Sequence, residues 1–336
     1  MMRHPGAGIG TRGSAPSRPE VPGSAAAGGF VPPAAAVHGP GPKSPKPVAA
    51  VGHDGGMAVT VELVTDPRVA AAAADAFLAS EPVRHNLVAT LLHRCAAAGG
   101  DGRFWLAHRR RTIVGIAFQW PLGFTVALTP MPDDAVEAVV DSVVAEGAAL
   151  AGVNGEAPTA ARFAGCWTER TRCAARPVEG LRLYEVDTVV PPVRAVDGRC
   201  RTASTADADL LVAWTEAFVD EVGETFTLPA AAVVVYRTAA GQLWLWECGA
   251  EPVAFLGLSA EVNGAVRVGP VYTPPGDRGH GYASALTADR SAQVRATGHR
   301  CLLYADLANP TSNGIYRALG YRAVAETLRY EFDAAR

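Results

Sequence analysis

The regular alternation of apolar and polar side chains begins near Met57. Val59-Thr60-Val61-Glu62-Leu63-Val64 places an apolar residue at every second position, the period of a strand with one buried face. From there to Val190 the pattern predicts helix, helix, strand, hairpin, strand and helix, and a second run of the same kind starts near Arg199, after Pro191-Pro192. Phe104-Trp105-Leu106-Ala107 with Ile113-Val114-Gly115-Ile116-Ala117 reads as a β-hairpin, and so does Leu243-Trp244-Leu245-Trp246 with Pro252-Val253-Ala254-Phe255-Leu256. Polar turns at 108–111 and 247–251 join the strands. Strands at 126–130 and 270–274 then each lead into a helix. Trp105 and Trp244 stand 139 residues apart, and Pro130 and Pro274 144 apart, so the register survives with small insertions and the chain predicts an internal duplication. The expected class is α/β (α+β): two lobes, each a mixed, mostly antiparallel twisted sheet flanked by helices. The first spans 57–190, a linker 191–198 and the second 199–336.

Upstream of this pattern the composition changes. Residues 1–56 are dominated by Gly, Pro and Ala, which cannot bury enough surface to offset the entropy of ordering, so the segment is expected to be disordered. Prolines interrupt every stretch that might serve as the apolar part of a secretory signal. Met57 follows Gly55-Gly56 directly, and translation starting there is an expectation that an intact-mass measurement checks.

The whole chain has 336 residues, 49% hydrophobic, enough for two modest cores. Thirty basic against 33 acidic side chains leave a net charge of −3, which argues against a broad phosphate-binding surface and so against nucleic acid as a partner. No run approaches the roughly 20 apolar residues that span a bilayer, so no membrane association is predicted. Six cysteines without a C-x-x-C pair read as reduced thiols and a cytoplasmic location. His85, His93 and Cys95 have a spacing that suits no common zinc site, and no metal is predicted. Nothing in the pattern marks an oligomer interface.

The two runs diverge at one informative place. After Thr273-Pro274 comes Pro275-Gly276-Asp277-Arg278-Gly279-His280-Gly281-Tyr282-Ala283-Ser284, whereas Thr129-Pro130 is followed by Met131-Pro132-Asp133-Asp134-Ala135. A strand, an Arg-Gly-x-Gly turn and a helix starting near Tyr282 collect backbone N–H groups and a positive helix end around one point, where a pyrophosphate fits. The glycines allow close approach and positive φ, and Arg278 adds a charged donor. A P-loop is excluded because no Gly-Lys-Ser/Thr follows. A Rossmann turn fits poorly, since Ser284 stands where a third small glycine or alanine is needed and the preceding strand belongs to a hairpin series. Downstream, a strand at 301–305 leads to Asn309-Pro310-Thr311-Ser312-Asn313-Gly314-Ile315-Tyr316-Arg317-Ala318-Leu319-Gly320-Tyr321: an N-cap, a first-turn proline and a terminal glycine around a short helix. A last strand, 327–332, closes the sheet.

These two motifs resemble the GNAT superfamily of acyl-CoA-dependent N-acyltransferases. The resemblance rests on Arg278-x-x-Gly281-x-Ala283 after a strand, and on Asn309, Ser312, Tyr316, Gly320 and Tyr321 at the spacing of that family's second signature. It covers the segment from Arg199 onward. The first run resembles a degenerate copy, as in tandem members of the family. The resemblance implies acetyl-CoA as acyl donor, with Val271 and Thr273 pairing their backbone with its pantetheine arm, Tyr272 between them, and residues 278–284 around its pyrophosphate. Asn309 would contact the arm or order its thioester end as part of the catalytic set, and Ser312 would lie along the arm. Tyr316 would protonate the leaving thiolate and a strand N–H near Val271 would hold the oxyanion. Tyr316 also has a plainer reading, as half-buried packing on an amphipathic helix. His280 either touches phosphate or is a surface histidine. The acids of 220–224, Glu221 and Glu224 among them, either attract an amine or form a solvated helix end, and Glu247 is a further candidate base. The implied activity is transfer of acetyl to a primary amine of a small molecule or a protein. A non-catalytic acyl-CoA sensor is the alternative from another class, and an NAD(P)-dependent oxidoreductase a third.

Overall fold

The computed structural model describes residues 58–222 and 228–333. The disorder expected for 1–56, the start at Met57 and the acceptor role of Glu224 fall outside these residues.

The first half runs β1 (Val59–Val64), α1 (Pro67–Ser80), α2 (Asn86–Ala98), β2 (Arg103–Arg109), β3 (Thr112–Gln119), β4 (Val126–Leu128), α3 (Asp133–Ala145), β5 (Gly152–Glu156), α4 (Ala157–Thr171) and β6 (Ala175–Val186). The second half repeats that order: β7 (Arg199–Thr202), α5 (Ala208–Val222), α6 (Ala230–Ala239), β8 (Leu243–Cys248), β9 (Glu251–Leu258), β10 (Ala265–Tyr272), α7 (Tyr282–Ala296), β11 (Arg300–Asp306), α8 (Pro310–Ala318) and β12 (Arg322–Phe332). The α/β class is as expected. Among the described residues only β4–β5 and β10–β11 pair in parallel, and no helix is long and apolar enough to cross a membrane.

The two sheets are continuous with one another. The strand order is β1-β2-β3-β4-β5-β12-β6-β11-β10-β9-β8-β7, so the last strand of each half lies beside the fifth strand of the other. Cross-strand ion pairs fix the register at this seam: Arg182 with Glu326 at 2.6 Å, Arg329 with Glu179 at 3.0 Å and Arg176 with Glu331 at 2.9 Å.

Helices cover both faces because strand side chains alternate. Trp105 packs with α3 and α4, and its neighbours Phe104 and Leu106 with α1 and α2. In the second half Ala254 and Leu256 face α7, while Leu245 and Phe255 face α5 and α6. Trp105 and Trp167 are core residues.

Candidate active site

The site is built on the end of β10. β10 and β11 pair from Ala265 with Arg300 to Val268 with Leu303 and no further, although β10 continues to Tyr272 and β11 to Asp306. β11 stays paired with β6 to its end. β10 instead bulges against β9, since Val268 opposes Leu258 and the next pair is Val271 with Leu256. Extra residues inserted this way bend a strand. The parallel strands therefore diverge, and the backbone of 271–273 has no β11 partner. Arg237 of α6 fastens the bulge, its Nη2 donating to the carbonyls of Leu258 and Gly269 at 3.0 Å each. A Cβ on Gly257 would stand 2.5 Å from that nitrogen.

Beyond β10, Pro275–Asp277 forms one 3₁₀ turn, and Gly279 and Gly281 take φ of +82° and +87°. Gly281 is the N-cap residue of α7, which no side chain caps. The first backbone bond runs from the Ala285 N–H to the Gly281 carbonyl. The N–H groups of Tyr282, Ala283 and Ser284 consequently have no acceptor within the helix, and the helix dipole adds positive potential at the same point.

The wall opposite comes from α8. Asn309 caps it, its Oδ1 accepting the Ser312 N–H at 3.0 Å, which leaves the Asn309 amide N–H₂ for other partners. Buried Asn313, which the sequence reading passed over, pins this turn: its Nδ2 donates to the carbonyls of Asp306 and Asn309 at 2.7 Å each, and its Oδ1 accepts from the Tyr184 hydroxyl at 2.8 Å. The Tyr316 ring sits against Tyr184 and Tyr321, with centroids 6.4 and 5.9 Å away. Burial pushes its phenol up to about 12, and no hydrogen bond contributes to that shift.

One cavity of about 1540 Å³ joins these parts: the strand end 271–273, the loop and helix start 278–284 apart from His280, and Asn309, Ser312 and Tyr316 of α8. His280 is exposed outside it, stacked on Tyr282 at 5.4 Å with Nδ1 toward the Asp277 carbonyl at 3.2 Å. Glu221 lines the cavity, but its carboxylate is taken by Arg278, whose Nη2 donates to it at 2.6 and 2.8 Å while Nε donates to the Thr273 carbonyl at 2.9 Å. The donors this loop presents inward are therefore backbone N–H groups. Glu247 is outside the cavity lining, held by Arg199 and Arg201, and these guanidiniums keep its carboxyl below the usual range.

The first half also lines this cavity, through Thr90, His93 and Arg94 of α2 and residues 178–181 of β6. At its own equivalent place, between β4 and β5, the space is only about 20 Å³. Arg84 donates to Glu156 there at 2.7 Å. Asp133 and Asp134 occupy the first turn of α3, where the second half has bare N–H groups. No group of His, Cys, Asp and Glu able to hold a metal occurs among the described residues.

This splayed pair of parallel strands, glycine loop and uncapped helix sit in a chain that has the fold of solved GNAT acetyltransferases. An acetyltransferase of the GNAT family from Colwellia psychrerythraea is 9% identical, covers 82% of this chain and 100% of its own, and superposes with a TM-score of 0.55. A GCN5-related N-acetyltransferase from Sphaerobacter thermophilus gives 15% identity, 82% and 96% coverage and a TM-score of 0.57. A tandem GNAT protein from the clavulanic acid biosynthesis pathway gives 11%, 82%, 99% and 0.51. More particularly, residues 262–330, from the approach to β10 into β12, match the family model described as FR47-like protein. No curated protein matches the chain.

Proposed function

We propose that the chain transfers an acetyl group from acetyl-CoA to a primary amine, using a single cofactor site in its second half. One observation carries the reading. The uncapped start of α7, the open edge of 271–273 and Tyr316 line one cavity, which supports a single acyl-CoA lying there with its pyrophosphate, pantetheine arm and thioester sulfur against them in turn.

The backbone of Val271 and Thr273 would hold the arm as an added strand. The N–H groups of residues 282–284 would hold the pyrophosphate. A neutral amine attacks the thioester carbonyl, forming the C–N bond, and a β10 N–H near Val271 stabilises the oxyanion. The C–S bond then breaks, Tyr316 protonates the thiolate, and the amine loses its extra proton to water. A phenol titrating at about 12 keeps its proton throughout the neutral range and so remains a donor. In the first half the filled gap and the acids on α3 support the reading of a copy without a cofactor site.

Thermal unfolding of residues 57–336 with acetyl-CoA, and with NAD as control, tests this. Acetyl-CoA at 100 times its Kd adds about 2.7 kcal/mol, a shift of a few degrees. A shift with acetyl-CoA alone supports the site, and thiol release with a panel of amines then separates an enzyme from a sensor. A folded sample that acetyl-CoA does not shift refutes the reading.

A further inference from the structure

Beyond the thioester end of the cavity lies a group of arginines that the acetyl-transfer reading does not use. Arg267 projects from β10, Arg237 from α6 and Arg94 from α2 of the first half, and all three line the cavity. Arg267 donates from Nη1 to the Asn86 Oδ1 at 2.9 Å, and Arg237 spends Nη2 on the two bulge carbonyls. The Nε and Nη2 donors of Arg267, and the Nε and Nη1 donors of Arg237, have no partner among the described residues. Neither guanidinium forms an ion pair there.

The carboxylates that line the cavity are engaged elsewhere or sit at its other end. Glu179 is paired with Arg329, Glu221 with Arg278, and Asp306 accepts the Ala308 N–H, while Asp277 belongs to the loop before α7. Among the described residues, then, the half-buried guanidiniums of Arg237 and Arg267 face the cavity without a carboxylate in contact. Burial and neighbouring guanidiniums pull Arg237 and Arg94 down to about 10, and burial alone lowers Arg267. Partly burying the Arg237 and Arg267 guanidiniums with no carboxylate in contact among the described residues opposes folding, and an anion bound in the cavity would offset that cost.

The acetyl-CoA phosphates are not that anion. They belong at the downstream end of β10, against residues 278–284, whereas Arg267 lies four residues upstream of Val271 on the same strand. That upstream side of the cavity is left free for an acceptor. We propose that the acceptor is a primary amine bearing an oxyanion, a carboxylate or a phosphate, which Arg237 and Arg267 grip while Arg94 of the first half adds a third positive charge. The inference rests on the acetyl-transfer reading and narrows its substrate class. Guanidinium forks match both oxyanions in two-point hydrogen bonding.

The test uses the full chain with acetyl-CoA. The probes are ω-amino acids from glycine to 6-aminohexanoate, the primary amide of each, and two aminoalkyl phosphates, phosphoethanolamine and 3-aminopropyl phosphate. Thiol release should favour at least one anionic amine over its uncharged counterpart by about 10-fold to 150-fold in kcat/KM, the range of a charge-assisted hydrogen bond. Whether the acid or the phosphate arm responds identifies the oxyanion. Arg267→Met should bring that ratio to within about 3-fold while the thermal shift with acetyl-CoA stays as in the parent. Equal turnover of acids and amides overturns the inference, as does a loss of acetyl-CoA binding in Arg267→Met. If no amine is turned over, a rise in Tm with an anionic amine but not its amide, lost in Arg267→Met, supports the site, and no rise with any of them overturns it. Absence of a shift with acetyl-CoA itself, with the anionic amines still protecting, would instead sink the acetyl-transfer reading alone.

Discussion

Replacing Tyr316 with Phe removes one hydroxyl and changes nothing else in the packing. The ring keeps its contacts with Tyr184 and Tyr321, and no hydrogen bond to the protein is lost, so folding stability should change by no more than about 0.5 kcal/mol. What disappears is the donor for the departing thiolate. A hydrogen bond to a charged group contributes about 1.5–3 kcal/mol, which is roughly 10-fold to 150-fold in kcat. The KM for acetyl-CoA should stay within about 2-fold, because the arm and the pyrophosphate are held by backbone groups elsewhere. The assay is steady-state thiol release with an amine that the parent turns over, alongside a thermal melt. The pH dependence adds a second handle. The phenol titrates at about 12 in the folded chain against an ordinary value of 10, so the folded state retains a proton that the unfolded state releases. Its stabilising contribution is complete below pH 10 and is lost as pH rises from about 10 through about 12. Tyr316→Phe should therefore soften the alkaline fall in Tm, and Tyr304, also raised to about 12, should leave part of that fall in place. A kcat within 2-fold of the parent would falsify the general-acid role. A Tm several degrees lower together with a raised KM would show that the hydroxyl serves packing.

Gly281→Ala forces a side chain into φ of +87° with the Val196 methyl 3.1 Å away; the strain of about 1–2 kcal/mol should lower Tm by a few degrees and weaken acetyl-CoA binding in a calorimetric titration. Glu221→Gln breaks an exposed pair, so stability should move by less than about 1 kcal/mol. It also frees the Arg278 guanidinium, and tighter acetyl-CoA binding would show that this charge reaches the pyrophosphate, whereas unchanged affinity would leave the task to the backbone. Asp207 receives Arg201 at 2.6 and 2.8 Å and the Ser204 N–H at 2.7 Å, which hold its carboxyl far below the usual range. Its contribution is present above about pH 4 and is lost as pH falls toward the folded value, so Asp207→Asn should flatten the drop in Tm between pH 5 and 2. Residues 199–336 expressed alone should fail to give a folded monomer by circular dichroism and gel filtration, because β11 and β12 would lose partners in the other half.

The repeated run of elements was legible because each strand and helix carries its own local signal. The hairpins were visible in alternation, and α8 in the Asn309 cap, Pro310 and Gly320. The glycine loop was legible for the same reason, since positive φ at Gly279 and Gly281 leaves a mark in residue type. Side-chain commitments were not. Arg278 stands at the position expected for a phosphate donor, yet its partner Glu221 lies 57 residues away, and Glu221 was itself a candidate for the acceptor. The exchange of β6 and β12 is likewise silent in the sequence, because a strand has the same pattern whichever neighbour it joins. Arg267 was the one missed residue with a local signal. A charge inside Ala265-Val266-Arg267-Val268 needs either a buried partner or a ligand.

The exchange of final strands bears on why a copy with no evident cofactor site persists. In a tandem of independent units, decay of one copy would leave the other intact. Here the parallel pair β10–β11 is bordered by β6, a first-half strand, and β12 reaches the rest of its own sheet only across β6. The turn that presents Asn309 is tied to β6 through Tyr184 and Asn313, and Arg267 is anchored on Asn86 at the start of α2. Loss of the first half would therefore open the edge of the splay and release Arg267 from Asn86. Under this reading the two halves have divided one site between them: the second supplies the acyl-donor face, and α2 and β6 of the first supply part of the face that meets the amine.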